Sequence, residues 1–426
     1  MARNKYRHPN VLMTSERSVT PSLEMTDYFF LFTLFLLMAW SMDPFRWGMD
    51  ILNGVKRVPS IFLVMNLAFI VVGRALFFNK RVVQSFWDVI KENRWLVIFA
   101  SLVVTGSSYA RFKSGIEESF LTMGTYMFMV PIAKWYIINS QAPWKLLRGI
   151  LSVYMFWAFT SLIIQFIFFR KFEVFHSREH MVLPMVAGLL YYSPVTAIRA
   201  MGLLIVVIGA IAVSKITAFI VGIITLTYML GLSLYPKIRF QRDSLVRTFL
   251  TVGFVLSVAV AVIASVVAYK VAGDKAPHGN VGYRAHTYAI AWDKFKASPI
   301  WGEGFTKQAV VKFDLFTVQA ETQTLPTHSD PLDILAAGGL IAALLWLGGI
   351  VPKIRSALSD VSFHSHQLEW KEVIVHQCFL ILVFTGLVVS AFNPILNIPN
   401  TASVYWLAFA CMICTTQLCK PKVTKQ

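Results

Sequence analysis

Windows of about 15 to 22 apolar residues, separated by short charged stretches, recur along the whole 426-residue chain. In a bilayer each such window satisfies its own N–H and C=O groups by becoming an α-helix, and successive helices then pack against one another. The windows predict roughly twelve spans, near 27–41, 59–78, 95–110, 119–138, 149–169, 181–197, 200–213, 216–235, 247–269, 332–351, 373–392 and 402–419. Pro184 and Pro194 interrupt the sixth, and the seventh is short for a hydrocarbon layer of ~30 Å. With 56% hydrophobic and 14% charged residues, the chain carries more apolar surface than a soluble core of this size would hide. The expected fold is therefore all-α, a polytopic integral membrane protein read as one domain over residues 1–426.

Lysine and arginine in the short loops orient it. Arg3, Lys5, Arg7 and Arg17 precede the first span, and further basic groups (Lys80, Arg81, Lys91, Arg94; Lys145, Arg148; Lys237, Arg239, Arg242) fall on every second connection. Lys353, Arg355, Lys371, Lys420 and Lys422 continue the pattern, which puts both chain ends in the cytoplasm. The first span follows a basic stretch and lacks a small-x-small cleavage site, so it reads as a retained signal anchor. Most of the net charge of +17 lies on inner loops, where it matches anionic lipid; nucleic acid is not an expected partner. Cys378, Cys411, Cys414 and Cys419 all fall in or beside the last two spans, and Cys411-x-x-Cys414 reads as packing inside an apolar helix. Arg74 and Lys134 lie near helix ends, where snorkelling suffices to explain them.

One connection is long. Residues 270–331 form an outer, periplasmic loop of roughly sixty residues, and long loops on economical membrane scaffolds carry function. Within it Tyr288, Ala291, Trp292 and Phe295 mark the apolar face of a helix that Pro299 ends, with Arg284 near its start; the helix is expected to lie flat on the membrane surface. Gly302-x-Gly304 then turns the chain back toward the bilayer. The loop closes on Thr327-His328-Ser329-Asp330-Pro331, at the mouth of a Gly-rich apolar span. Histidine accepts and returns protons near neutral pH, so His328 is the candidate catalytic base. Asp330 either supports that imidazole or caps the helix that follows.

Ser214-Lys215 sits between two apolar spans, at the outer end of the seventh. Lys215 either snorkels into head groups or joins Arg284 and His328, which the topology places on the same side. His176, Arg178, Glu179 and His180 cluster on that side too, as an acceptor entrance or as a solvated rim. The spacing of His and carboxylate residues matches no compact metal site.

Three features taken in order resemble the O-antigen ligase/polymerase superfamily: Ser214-Lys215-x-Thr217-Ala218, then Arg284 ahead of Pro299-Ile-Trp-Gly302-x-Gly304, then His328-x-x-x-Leu332. Residues 200–350 carry the resemblance best. It implies a metal-independent glycosyltransferase without cofactor in the bacterial inner membrane, working at the periplasmic face. The implied donor is a polyprenyl-diphosphate-linked (undecaprenyl diphosphate type) glycan, and the acceptor a glycan or lipid-glycan. Members serve lipopolysaccharide and exopolysaccharide biosynthesis. His328 then assists the acceptor hydroxyl, while Arg284 and Lys215 bind the donor diphosphate, with Asp330 and Arg178 as supporting residues. Two positions depart from the pattern: Lys215 stands where arginine is common, giving a point charge in place of a planar fork, and Ser329 stands where asparagine is common. The competing class is a transporter or flippase for lipid-linked saccharides, which favours paired repeats and ionisable groups at the bilayer midplane; here the charged candidates gather on one face.

Overall fold

The computed structural model describes residues 22–42, 58–77, 85–114, 118–169, 185–186, 188–191, 195–212, 280–306, 311–313, 323–325, 327, 329–364, 370–393 and 395–419. The helices are α1 (Met25–Met42), α2 (Val58–Phe77), α3 (Phe86–Glu92), α4 (Arg94–Ser114), α5 (Glu118–Met127), α6 (Met129–Ile138), α7 (Pro143–Phe169), α8 (Thr196–Ala212), α9 (Asn280–Ala297), α10 (Asp330–His364), α11 (Trp370–Ser390) and α12 (Pro399–Leu418). Helices stand at most of the predicted windows with shifted boundaries, whereas the windows at 216–235 and 247–269, and much of that at 181–197, lie outside the described residues. The span expected at 119–138 is two helices, α5 and α6. Pro131 has no N–H to give the carbonyl four residues back, so the helix is interrupted at Phe128. A two-stranded antiparallel ribbon, β1 (Val311–Phe313) and β2 (Gln323–Leu325), interrupts the helical plan, with Lys312 opposite Thr324. Three described segments are long and apolar enough to cross a membrane: Asp330–Leu358, Lys371–Ser390 and Thr401–Leu418.

Helix α12 is buried on every side from Thr401 to Thr416, as expected of a helix apolar all round, and α1, α5, α6, α7, α10 and α11 pack about it. Polar ties fix the relative direction of the helices. Ser41 Oγ lies 2.7 Å from Ser403 Oγ, joining the end of α1 to the start of α12. At the opposite end of the bundle Cys414 Sγ contacts the Lys134 carbonyl oxygen at 3.8 Å, and His376 bridges Thr415 Oγ1 (2.7 Å) and the Ala357 carbonyl (3.2 Å), joining α10, α11 and α12. All four cysteines are buried as free thiols, as packing requires.

Arg74 and Lys134 do more than snorkel. Arg74 is buried and donates to Asp27 Oδ1 at 3.0 Å and to the Asn139 carbonyl at 3.0 Å, and pairs with Glu24 at 3.3 Å. Asp27 also accepts from Tyr136 Oη (3.0 Å) and Ser140 Oγ (3.2 Å). Lys134, 1% exposed, pairs with Glu92. These charges clamp the ends of α1, α2, α3 and α6, because a buried charge is tolerated only when paired and hydrogen-bonded.

Helix α10 is broken at Gly339, where φ is +61° and ψ −159°. The break frees backbone groups that a bilayer would leave unsatisfied, and the turn after α9 takes them up. Glu303 N donates to the Ala336 carbonyl (2.9 Å), Leu340 N to the Pro299 carbonyl (2.9 Å) and Ile341 N to the Ile300 carbonyl (3.3 Å). The two chains approach so closely that a Cβ on Gly302, itself at φ +68°, would sit 2.4 Å from the Ala337 carbonyl carbon; one on Gly339 would sit 2.4 Å from the Ile300 oxygen. Phe305 follows and packs over Gly106 of α4, where an added Cβ would sit 3.5 Å from it. Gly302→Ala is expected to cost about 3 kcal/mol, from the positive φ and a backbone clash. Gly73→Ala, with nothing within 4 Å of the added methyl group, should be neutral or slightly stabilising. Thermal unfolding of the two variants in detergent checks the contrast.

Candidate functional site

The apolar face of α9, expected to meet lipid, is covered by protein. Tyr288 and Ala291, with Trp292 beside them, pack on Leu332, Leu335 and Ala336 in the first turns of α10. The phenol of Tyr288 donates to the Ala391 carbonyl at 3.3 Å, and the Thr287 hydroxyl donates to the Thr327 carbonyl at 3.3 Å. Apolar side chains at helical spacing look the same in sequence whether they meet lipid or protein; here the partner is the start of α10.

The residues on either side of His328 are both fully buried and tied down. Thr327 N donates to Asp333 Oδ1 at 3.2 Å, the Thr327 hydroxyl donates to the Ser329 carbonyl at 3.0 Å, and Ser329 N donates back to Thr327 Oγ1 at 3.1 Å. The Ser329 hydroxyl is buried with no hydrogen-bond partner among the described residues. His328 itself, Lys215 and Arg178 lie outside the described residues.

Asp330 has a task that neither sequence reading foresaw, while its relation to His328 lies outside the described residues. It is fully buried, and its partners come from the connection between α11 and α12: Ile395 N (2.8 Å) and Leu396 N (2.9 Å) donate to Oδ2, and Asn397 Nδ2 (3.0 Å) to Oδ1. The same Asn397 amide donates to Asp333 Oδ2 at 3.1 Å. Three donors hold this side chain, which staples two loops together in place of capping its own helix.

Arg284, half-buried on α9, comes to the same end of the bundle. Its Nη2 donates to Asn393 Oδ1 at 3.0 Å, a contact spanning 109 residues of sequence. Asn393 and Asn397 are the residues that sequence reasoning missed; they stand on a short connection that reads as a plain turn. The connection 391–398 thus touches the helix bearing Arg284 through Asn393 and Ala391, and the segment around His328 through Asp330. At the other end of the helix, Lys294 lies 3.6 Å from Glu303, closing the end of α9 onto the turn. The described geometry offers a fixed cation and a histidine-bearing segment gripped on both sides, arranged around one helix start. Such a pair suits expulsion of an anionic leaving group with proton removal from an attacking hydroxyl. Among the described residues no group of three or more His, Cys, Asp or Glu side chains could hold a metal ion.

Compared with models of protein families, residues 201–347 match the O-antigen ligase family, a stretch that contains Lys215, Arg284, His328 and Asp330. No curated protein matches the chain.

Proposed function

We propose that this chain, an O-antigen ligase-like superfamily protein by its residues 201–347, is a membrane glycosyltransferase that transfers or polymerises glycan from a polyprenyl-diphosphate-linked donor at the periplasmic face of the bacterial inner membrane. The observation that carries the reading is Arg284, a cation with no carboxylate partner among the described residues, fixed at the end of the bundle where the segment bearing His328 is also tied. Breaking the anomeric C–O bond leaves charge on the diphosphate, and fixed cations beside it lower that barrier; Arg284 and Lys215 take this role. The acceptor hydroxyl loses its proton to His328 as it attacks the anomeric carbon, and the proton then leaves to solvent. The lipid-linked donor and a glycan or lipid-glycan acceptor are the partners, and the two cations do the work a divalent ion would do elsewhere.

The envelope glycans of a deletion strain test the reading. Loss of long chains from the lipid A core, with lipid-linked polymer accumulating, identifies a ligase. Accumulated single repeat units identify a polymerase, and selective loss of secreted polysaccharide an exopolysaccharide route. Donor trapped on the inner leaflet supports a flippase instead, and an unchanged profile in every glycan fraction removes the assignment.

A further inference from the structure

Two arginines in this protein are held in opposite ways. Arg74 is paired with the carboxylates of Asp27 and Glu24, so its charge is spent inside the fold. Arg284 is held by a neutral amide oxygen, that of Asn393, and has no ion pair among the described residues. A hydrogen bond from an amide fixes one edge of the guanidinium while leaving its full charge and its remaining N–H donors for another ligand. Asn393 is itself placed by the end of α11, where its backbone N–H donates to the Val389 carbonyl at 2.8 Å, and by the Asp330 staple a few residues on. We infer that Asn393 is the positioning residue for Arg284, a neutral bracket that aims the guanidinium at a diphosphate without neutralising it.

This inference rests on the donor role proposed for Arg284, and it makes an ordering prediction that a structural hydrogen bond does not. If the Asn393 side chain served only to tie α9 to the connection, Asn393→Asp would be the milder change, because a carboxylate is the stronger acceptor for arginine. If it keeps Arg284 charged toward ligand, Asn393→Asp is the harsher one. The aspartate forms an ion pair in place, while Asn393→Ala keeps the charge and loses only the aim.

The measurement is binding of polyprenyl diphosphate to the purified full chain in lipid nanodiscs, with thermal unfolding of each variant alongside. Arg284→Ala and Asn393→Asp are each expected to weaken binding by roughly tenfold or more, and Asn393→Ala by only about threefold. Combining Asn393→Ala with Arg284→Ala should add nothing to Arg284→Ala alone. Thermal unfolding should show Asn393→Asp at least as stable as Asn393→Ala, which separates the binding defect from a folding one. Wild-type binding in Asn393→Asp, with binding lost in Arg284→Ala, overturns the bracket and leaves the donor role of Arg284 standing. Wild-type binding in Arg284→Ala overturns both.

Discussion

His328→Ala is expected to slow glycan transfer by roughly 10²–10⁴-fold, the range a positioned general base typically supplies. The loss should be chemical and not structural. Thr327 and Ser329 hold their places through backbone and hydroxyl groups and through the Asp333 carboxylate, and none of those bonds involves the imidazole. Insertion and protein level should stay normal, and polyprenyl diphosphate should still bind, since a neutral ring adds no charge at the diphosphate. Single-turnover transfer with purified protein, a defined lipid-linked donor and its acceptor decides the matter: undiminished turnover in the alanine variant ends the general-base role.

The second large effect belongs to Arg284. Replacement by alanine should lower transfer by about 100-fold, or ~3 kcal/mol, if the guanidinium stabilises the departing diphosphate. Arg284→Lys should recover part of that, because charge survives while the planar fork and its bond to Asn393 do not. Helix α9 keeps its seat in both variants, since Tyr288, Ala291 and Thr287 carry its attachment. The quantity to measure is kcat/KM for the donor at fixed acceptor; equal values for wild type and Arg284→Ala would rule the cation out.

What could be read from sequence was whatever repeats with a short period. The apolar windows gave the helices because hydropathy and helical hydrogen bonding are local properties, but the window at 119–138 was read as one span although Pro131 stands inside it. The two candidate site residues on the loop, Arg284 and His328, stand out only because their residue types and order form a recognisable pattern. Long-range partners were not. Asp330 read as a cap or a helper for histidine because its neighbours in sequence allow both, and nothing local announced the donors it meets 65 to 67 residues away. Asn393 offered no signal at all, being one polar residue in a turn. Arg74 and Lys134 at helix ends resembled snorkelling cations, and nothing local revealed that Asp27 and Glu92 would meet them. The Gly338-Gly339 pair was seen as part of a Gly-rich span; its role as a socket depends on a turn that precedes it by about forty residues.

The break at Gly339 also sets what can change in this protein without harm. Asp330 stands nine residues before it, about 13 Å along a helix at 1.5 Å per residue. The chain reaches α10 twice at fixed points, once where the 299–303 turn plugs the break and once where Thr327 meets Asp333. The chain between those two points thus has both its ends tied to α10. Lengthening the stretch between Phe313 and Gln323 therefore adds only the closure entropy of a longer loop, ~0.6 kcal/mol per doubling, and moves neither stem. Arg284 and the residues flanking His328 keep their places, so sequence between the two strands can vary in length without retuning the groups tied to α10.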